Sequence, residues 1–180
     1  MIDLEPSSSL ARRATPADRQ EIWRLFLMCH RENGIFELAP DKVNFFLDRA
    51  LYPERIPRGD TGPRGEIRVI GPVGKLEAIC FVILGSFWYS TQLHVEELLV
   101  FVDPQYRRSP HAKTMIEWMK EEARELGIPV LTGIMSNKRT EAKVRLYERQ
   151  LPKIGAFFLY DPNNVDTKSR DKRTDPVSIG

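Results

Sequence analysis

The segment from Leu98 to Met135 restricts the fold more than any other. It opens with the unbroken apolar run Leu98-Leu99-Val100-Phe101-Val102, which ends a predicted strand from His94 to Val102 covered on both faces. The turn Asp103-Pro104-Gln105-Tyr106-Arg107-Arg108-Ser109-Pro110 follows. Ala112, Met115, Ile116, Met119, Ala123 and Leu126 then recur every three or four residues, with Lys113, Glu117, Lys120, Glu121 and Arg124 on the other side, as in an amphipathic helix. Gly127 stops that helix, Pro129 prevents its restart, and Val130 to Met135 predicts another strand. Strand, turn, helix and strand make a βαβ unit, whose crossover sets two parallel strands side by side. An α/β fold is expected.

The flanking sequence extends this frame. Leu10 to Ala14 suits a short first strand, and Thr15-Pro16-Ala17-Asp18 a helix entry, with threonine as N-cap and proline at the first helical position. Ile22, Leu25, Phe26 and Cys29 keep helical spacing up to Asn33-Gly34, and a second helix runs from Pro40 with Val43, Phe46, Leu47 and Ala50 on one face. Tyr52 to Gly65 is rich in Pro, Gly and Arg and reads as a loop. Glu66 to Ile70 and Lys75 to Leu84 flank Gly71-Pro72-Val73-Gly74 as a β-hairpin, and Gly85 to Leu93 links it to the central strand. A helix from about Lys138 to Gln150 and a last strand from Gly155 to Tyr160 complete the pattern.

With 180 residues, 42% hydrophobic and 29% charged, the chain is long enough for one domain, expected over residues 10–160. Residues 1–9 read as a flexible tail, and residues 161–180, almost without large apolar groups, as a disordered one. The formal net charge of +2 lacks the broad basic excess of a dedicated DNA binder. Cys29 and Cys80 lie inside apolar runs with no zinc spacing, which suits free thiols in a reducing compartment. No secretory leader or membrane span is readable, so a cytoplasmic location is expected.

Chemistry concentrates in the basic turn. Ser109 is a favoured N-cap and Pro110 a favoured first helical residue, so the amides of His111, Ala112 and Lys113 should leave the helix end without intrahelical acceptors. With Arg107, Arg108 and Lys113 around them they suit an anion such as a diphosphate, although an ordinary solvated connection has the same composition.

The run from Leu98 through Arg107 into the helix resembles the central motif of the GNAT family of N-acetyltransferases, in which a turn of pattern Gln/Arg-x-x-Gly-x-Gly/Ala cradles the pyrophosphate of acetyl-CoA. Here the matching residues are Arg107-Arg108-Ser109-Pro110-His111-Ala112, with Pro110 in place of the middle glycine, so one backbone donor is lost. Arg12 to Asp18 is similar to the family's opening, and Asn137 with Leu146-Tyr147-Glu148-Arg149 and Gly155-Ala156-Phe157 is similar to its closing element. The RRS-type turn and lengthened last helix look like divergent bacteriophage-encoded acetyltransferases.

The resemblance implies a GNAT fold, a mixed twisted sheet with helices on both faces, and acetyl transfer from acetyl-CoA to a primary amine, on a small molecule or a protein. Transfer would be direct, in a ternary complex, because no cysteine is expected in the cleft. The alternative is a degenerate GNAT protein acting as a non-catalytic binding module. Neither a membrane nor nucleic acid is an expected partner, and a homodimer is compatible with the sequence. No metal site is expected.

Glu96 and Glu97 head the central strand and must face opposite sides. The resemblance makes Glu96, eleven residues before Arg107, the first choice of general base; Glu97 is the second, since a bulge would swap the faces. His94 is a further candidate. Tyr147 matches the general-acid tyrosine and equally suits packing beside Leu146. Val100, Phe101 and Val102 would offer main-chain groups to the pantetheine arm, and Arg107, Arg108, Ser109, His111, Ala112, Lys113 and Asn137 would hold the rest of the cofactor. Trp88 and Tyr89 would border the acceptor cleft or cover the sheet edge.

Overall fold

The computed structural model describes residues 11–136 and 140–159. Five strands form one sheet in the order β1-β2-β3-β4-β5: β1 Arg12–Arg13, β2 Gly65–Ile70, β3 Ala78–Ser86, β4 Leu93–Val102 and β5 Val130–Leu131. The first four pair with one another in antiparallel fashion, and β5 lies parallel to β4. Among the described residues four α-helices accompany them: α1 Arg19–Asn33, α2 Pro40–Leu51, α3 His111–Leu126 and α4 Thr140–Glu148.

Alternation along the strands divides the core. Ile67, Val69, Ile79, Phe81 and Phe101 pack with Ile22 and Leu25 of α1 and Leu47, Ala50 and Leu51 of α2. Ile70, Ala78, Cys80, Val82 and Val95 pack on the other face with Met115, Ile116, Trp118 and Met119 of α3, and Leu146 and Tyr147 of α4 join them. The mixed sheet therefore carries helices on both faces.

Local sequence accounts for the element ends. Thr15 is an extended N-cap and Pro16 opens a 3-10 turn, Pro16–Asp18, that leads into α1. Gly127 closes α3 at φ 66°, the left-handed conformation that costs glycine least. Gly71 turns the β2–β3 connection at φ 108°, where a Cβ would come within 2.6 Å of the Lys75 carbonyl oxygen.

Several expected boundaries differ. The first strand covers Arg12–Arg13, its expected start at Leu10 lying outside the described residues, and the second hairpin strand begins at Ala78, because the Leu76 amide is taken by Glu21 of α1. The strand expected over Val130–Met135 is Val130–Leu131 alone. No strand forms over 155–159, where a final strand was expected to Tyr160, itself outside the described residues. With β5 ending at Leu131 there is no extended ladder for that segment to join, and Ile154 and Phe158 stand 82% and 94% exposed. Phe157 lies instead over Gly133, where a Cβ would meet its ring at 2.7 Å. Both expected tails also lie outside the described residues.

Candidate functional site

The gap between β4 and β5 organises the site. These parallel strands pair only at Val95 with Val130 and Glu96 with Leu131. Beyond that point they diverge, so from Glu97 to Val102 the β5-facing edge of β4 has no strand partner among the described residues. Backbone donors and acceptors there, apart from the Val100 amide that Glu97 takes, are available to another group. The divergence opens toward the end of β4, where the basic turn leads into α3.

A bulge decides which carboxylate faces this opening. Val82 pairs with Glu97 but Phe81 pairs with Leu99, leaving Leu98 as the extra residue. Glu97 therefore lies on the face of Val95 and α3, while Leu98 and Leu99 both border the apolar cavity beneath α1 and α2. Tyr147 of α4 donates its hydroxyl hydrogen to the Glu97 carboxylate, with its oxygen 2.9 and 2.8 Å from the two carboxylate oxygens.

Loss of solvent around this pair raises the Glu97 pKa to about 7, against the smaller opposing effects of hydrogen bonds from Tyr147 and the Val100 amide. The same desolvation, with the Glu97 charge beside it, pushes the Tyr147 phenol well above its ordinary value. A carboxylate that titrates near neutrality beside a firmly protonated phenol suits proton removal at one point and proton delivery at another.

Glu96 faces the other side. Its carboxylate lies 3.9 Å from His94 Nε2 and shows no contact with Tyr147. His94 is buried, its ring 5.1 Å from that of Phe87. Trp88 and Tyr89 extend this aromatic stack into solvent; Trp88 is 94% exposed, so it covers no sheet edge.

The basic turn departs in detail from its expected capping. Asp103 caps a 3-10 turn, Pro104–Tyr106, by accepting from the Gln105 amide at 3.0 Å, and Arg24 of α1 donates to its other oxygen at 2.8 Å. Ser109 Oγ donates to the Tyr106 carbonyl at 2.6 Å, drawing the serine back onto that turn. The N-cap of α3 is therefore Pro110, and His111 is its first residue. Ser109 Oγ still accepts from the His111 amide, at 3.3 Å, while the Ala112 and Lys113 amides are left without intrahelical acceptors.

The side chains divide into held and available groups. Arg107 donates to Glu32 of α1 and lies 5.7 Å from the centre of the Phe101 ring. Arg108 and Lys113 are exposed, with no ion pair among the described residues. His111 is buried with Nε2 2.7 Å from Glu77, and its Nδ1 is buried without a hydrogen-bond partner among the described residues. Val100 and Val102 face α3 and α4, and Phe101 faces α1. Asn137 lies outside the described residues.

Sequence reasoning missed the opposite wall. Asn33 at the end of α1 accepts from Ser136 Oγ at 2.8 Å and from Lys143 Nζ at 2.6 Å, and donates to Cys29 Sγ at 3.6 Å. Lys143 and Tyr147 are one turn apart on α4, a spacing that could have linked them before the structure did. Cys29 thus borders the cleft, contrary to expectation. Burial raises its pKa, keeping it a thiol rather than the nucleophilic thiolate.

The raised Glu97 pKa has a consequence for stability. An unfolded glutamate titrates near 4.3, so between about 4.3 and 7 the folded chain holds more protons and stability declines as pH rises. Glu97→Gln should melt at the wild-type temperature near pH 4 and above it at pH 8. Thermal melts at both pH values check this, and a gap independent of pH would contradict the desolvation.

The fold has counterparts among solved structures. An acetyltransferase of Trypanosoma brucei superposes with a TM-score of 0.57 at 15% identity, covering 83% of this chain and 96% of that one. The enzyme AAC(6')-Iy, in complex with the bisubstrate analogue CoA-S-monomethyl-acetylneamine, gives 0.58 at 14% identity over 83% and 95%. The ribosomal-protein-alanine N-acetyltransferase of Brucella melitensis biovar Abortus 2308 gives 0.58 at 12% over 83% and 96%. No protein-family model matches the sequence, and no curated protein does. The fold is that of the GNAT acetyltransferases.

Proposed function

We propose that the protein is an N-acetyltransferase that moves the acetyl group of acetyl-CoA to a primary amine by direct transfer within a ternary complex. The observation that carries this reading is the Glu97–Tyr147 pair, set beside the unpaired edge of β4 where it parts from β5. The fold of the structural neighbours supports it, and so does the bound CoA analogue of AAC(6')-Iy.

The residues present fit the cofactor. The edge of β4 through Val100, Phe101 and Val102 would hold the pantetheine arm. The Ala112 and Lys113 amides, with Arg108 and the Lys113 side chain, would hold the diphosphate. His111 Nδ1, an orphaned polar atom beneath the same turn, would gain a partner there.

Acetyl-CoA supplies an activated carbonyl and a sulfur leaving group. Glu97 accepts the proton that the amine loses as its nitrogen bonds the acetyl carbon. Tyr147 releases its hydroxyl proton to the sulfur as the C–S bond breaks. Their mutual hydrogen bond then lets Glu97 return its proton to the phenolate, resetting both groups. Cys29, held as a thiol, takes no part, in keeping with direct transfer.

A second reading is a degenerate GNAT protein that serves as a binding module. It is favoured by Pro110 in the phosphate turn, by the Arg107–Glu32 ion pair and by the Val100 amide's donation to Glu97. Calorimetry and thermal-shift measurements with acetyl-CoA separate the two. Saturable heat and a raised melting temperature are expected; silence of both at millimolar ligand favours the binding module.

A further inference from the structure

A second cationic site lies well away from the basic turn. The loop after α2 folds over the start of β2 and lines a half-open cavity of about 270 Å³. Its wall includes Arg13, Arg49, Arg58 and Arg64, with Ile56 and Pro57 beside them. Gly65, at its floor, pairs with Ile83 of β3, while Ala78 on the same strand pairs with Val102, where β4 ends. At roughly 3.4 Å per residue, the run from Ala78 to Ile83 places the cavity about 17 Å along the sheet from the basic turn. One diphosphate cannot fill both.

Carboxylates nearby neutralise only part of this charge. Arg49 is 9% exposed; it donates to Asp60 at 2.6 Å and to the Pro63 carbonyl at 2.7 Å, and it lies 5.3 Å from the centre of the Phe45 ring. Asp60 also accepts from the Gly62 amide at 2.7 Å, so its carboxylate is committed to holding the loop closed. Arg13 is 4.0 Å from Glu66, which is closer to Arg68 at 2.6 Å. Arg58 and Arg64 form no ion pair within 4.0 Å among the described residues, although the Arg64 charge is near enough to help lower the Asp60 pKa.

One of these side chains and the backbone beneath the others are held in place. Arg49 is locked by its buried bonds. The Arg64 carbonyl accepts from the Leu84 amide at 3.0 Å, which ties that residue's backbone to β3. The 3-10 turn Pro53–Arg55, followed by Pro57, limits the freedom of the outer wall. Guanidinium groups bind oxyanions through paired N–H donors, and a backbone held in this way keeps the four arginines around one opening.

We propose that this cavity is a binding site for a phosphate group, on a metabolite or as the free ion, with Arg58 and Arg64 as its uncommitted ligands. The site stands apart from the acetyl-transfer reading and survives that reading's failure. A tetrahedral dianion offers two charges to the two guanidinium groups that form no close ion pair, whereas a monocarboxylate offers one.

Calorimetric titration of the full chain with inorganic phosphate, with acetate at matched ionic strength as the control, tests the site. Saturable phosphate binding is expected, weakened at least about tenfold in the double variant Arg58→Gln/Arg64→Gln. That variant should bind acetyl-CoA as the wild type does. If it fails to fold, Arg58→Lys/Arg64→Lys keeps the charges but loses the paired donors, and several-fold weakening is expected. Phosphate affinity unchanged in the variants, no saturable phosphate binding, or acetate binding as tightly as phosphate would each overturn the proposal.

Discussion

Glu97→Gln is expected to lower acetyl transfer about 100- to 10,000-fold, the range typical of a removed general base. The wild-type kcat/KM should fall below about pH 7, tenfold per unit, because in the proposed mechanism only the ionised carboxylate would accept the amine proton. In the variant that acid limb should disappear. Tyr147, held protonated well above its ordinary range, should impose no loss until strongly alkaline pH. The measurement is kcat/KM against pH, with an acceptor taken from a panel of amines and acetyl-CoA affinity followed in parallel. Glu96→Gln, whose carboxylate lies by His94 on the other face, should leave the acid limb in place. A Glu97→Gln enzyme with the wild-type profile would remove Glu97 as the base.

The largest expected loss of stability comes from Asp18→Ala. Asp18 is fully buried and accepts from Arg12 Nη2 at 2.7 Å, Arg12 Nη1 at 2.8 Å, the Thr15 amide at 2.9 Å and the Thr15 hydroxyl at 3.0 Å. It thereby fastens β1 to the entry of α1. Removing one partner of a buried pair costs about 3–5 kcal/mol; the low end applies here, because Arg12 keeps about a third of its exposure. Urea denaturation should show a loss of about 3 kcal/mol, or roughly 6–12 °C in melting temperature for a chain of this size.

The pH dependence of this contribution follows from the lowered pKa of Asp18, caused first by the Arg12 hydrogen bonds. A depressed carboxylate stabilises the folded state above its unfolded value, near 3.9, and the gain is lost as pH falls through the folded value. The gap between wild type and Asp18→Ala should therefore be full at neutral pH and close in acid. A gap of equal size at pH 2 would assign the loss to packing instead.

Much of the fold was legible because local chemistry dictated it. Thr15 and Pro16 open the first helix, the spacing of Met115, Ile116 and Met119 buries one side of α3, and Gly127 ends it in a conformation costly to other residues. The run from Leu98 to Val102 marked the end of β4, which lies between β3 and β5 in the sheet order, but this part pairs with β3 alone among the described residues and Leu98 is exposed. The resemblance, read from the turn after it, named the fold that the structural neighbours share. The segment 155–159 failed for a related reason: its apolar residues suit a strand, but a strand needs a partner edge, and β5 ends at Leu131.

The sequence by itself determined the helices, the βαβ unit and the pairing of a cationic turn with a helix start, because each depends on residues near one another along the chain. Only the tertiary structure decided which glutamate meets Tyr147, since a single extra residue at Leu98 changes which side chains share a face, and no composition records that register. It also placed Asn33, Lys143 and Cys29 on the wall of the cleft and gathered four arginines into one cavity. Those groups lie far apart in the chain, and the electrostatic work of burying or opposing them exists only once folding has brought them together.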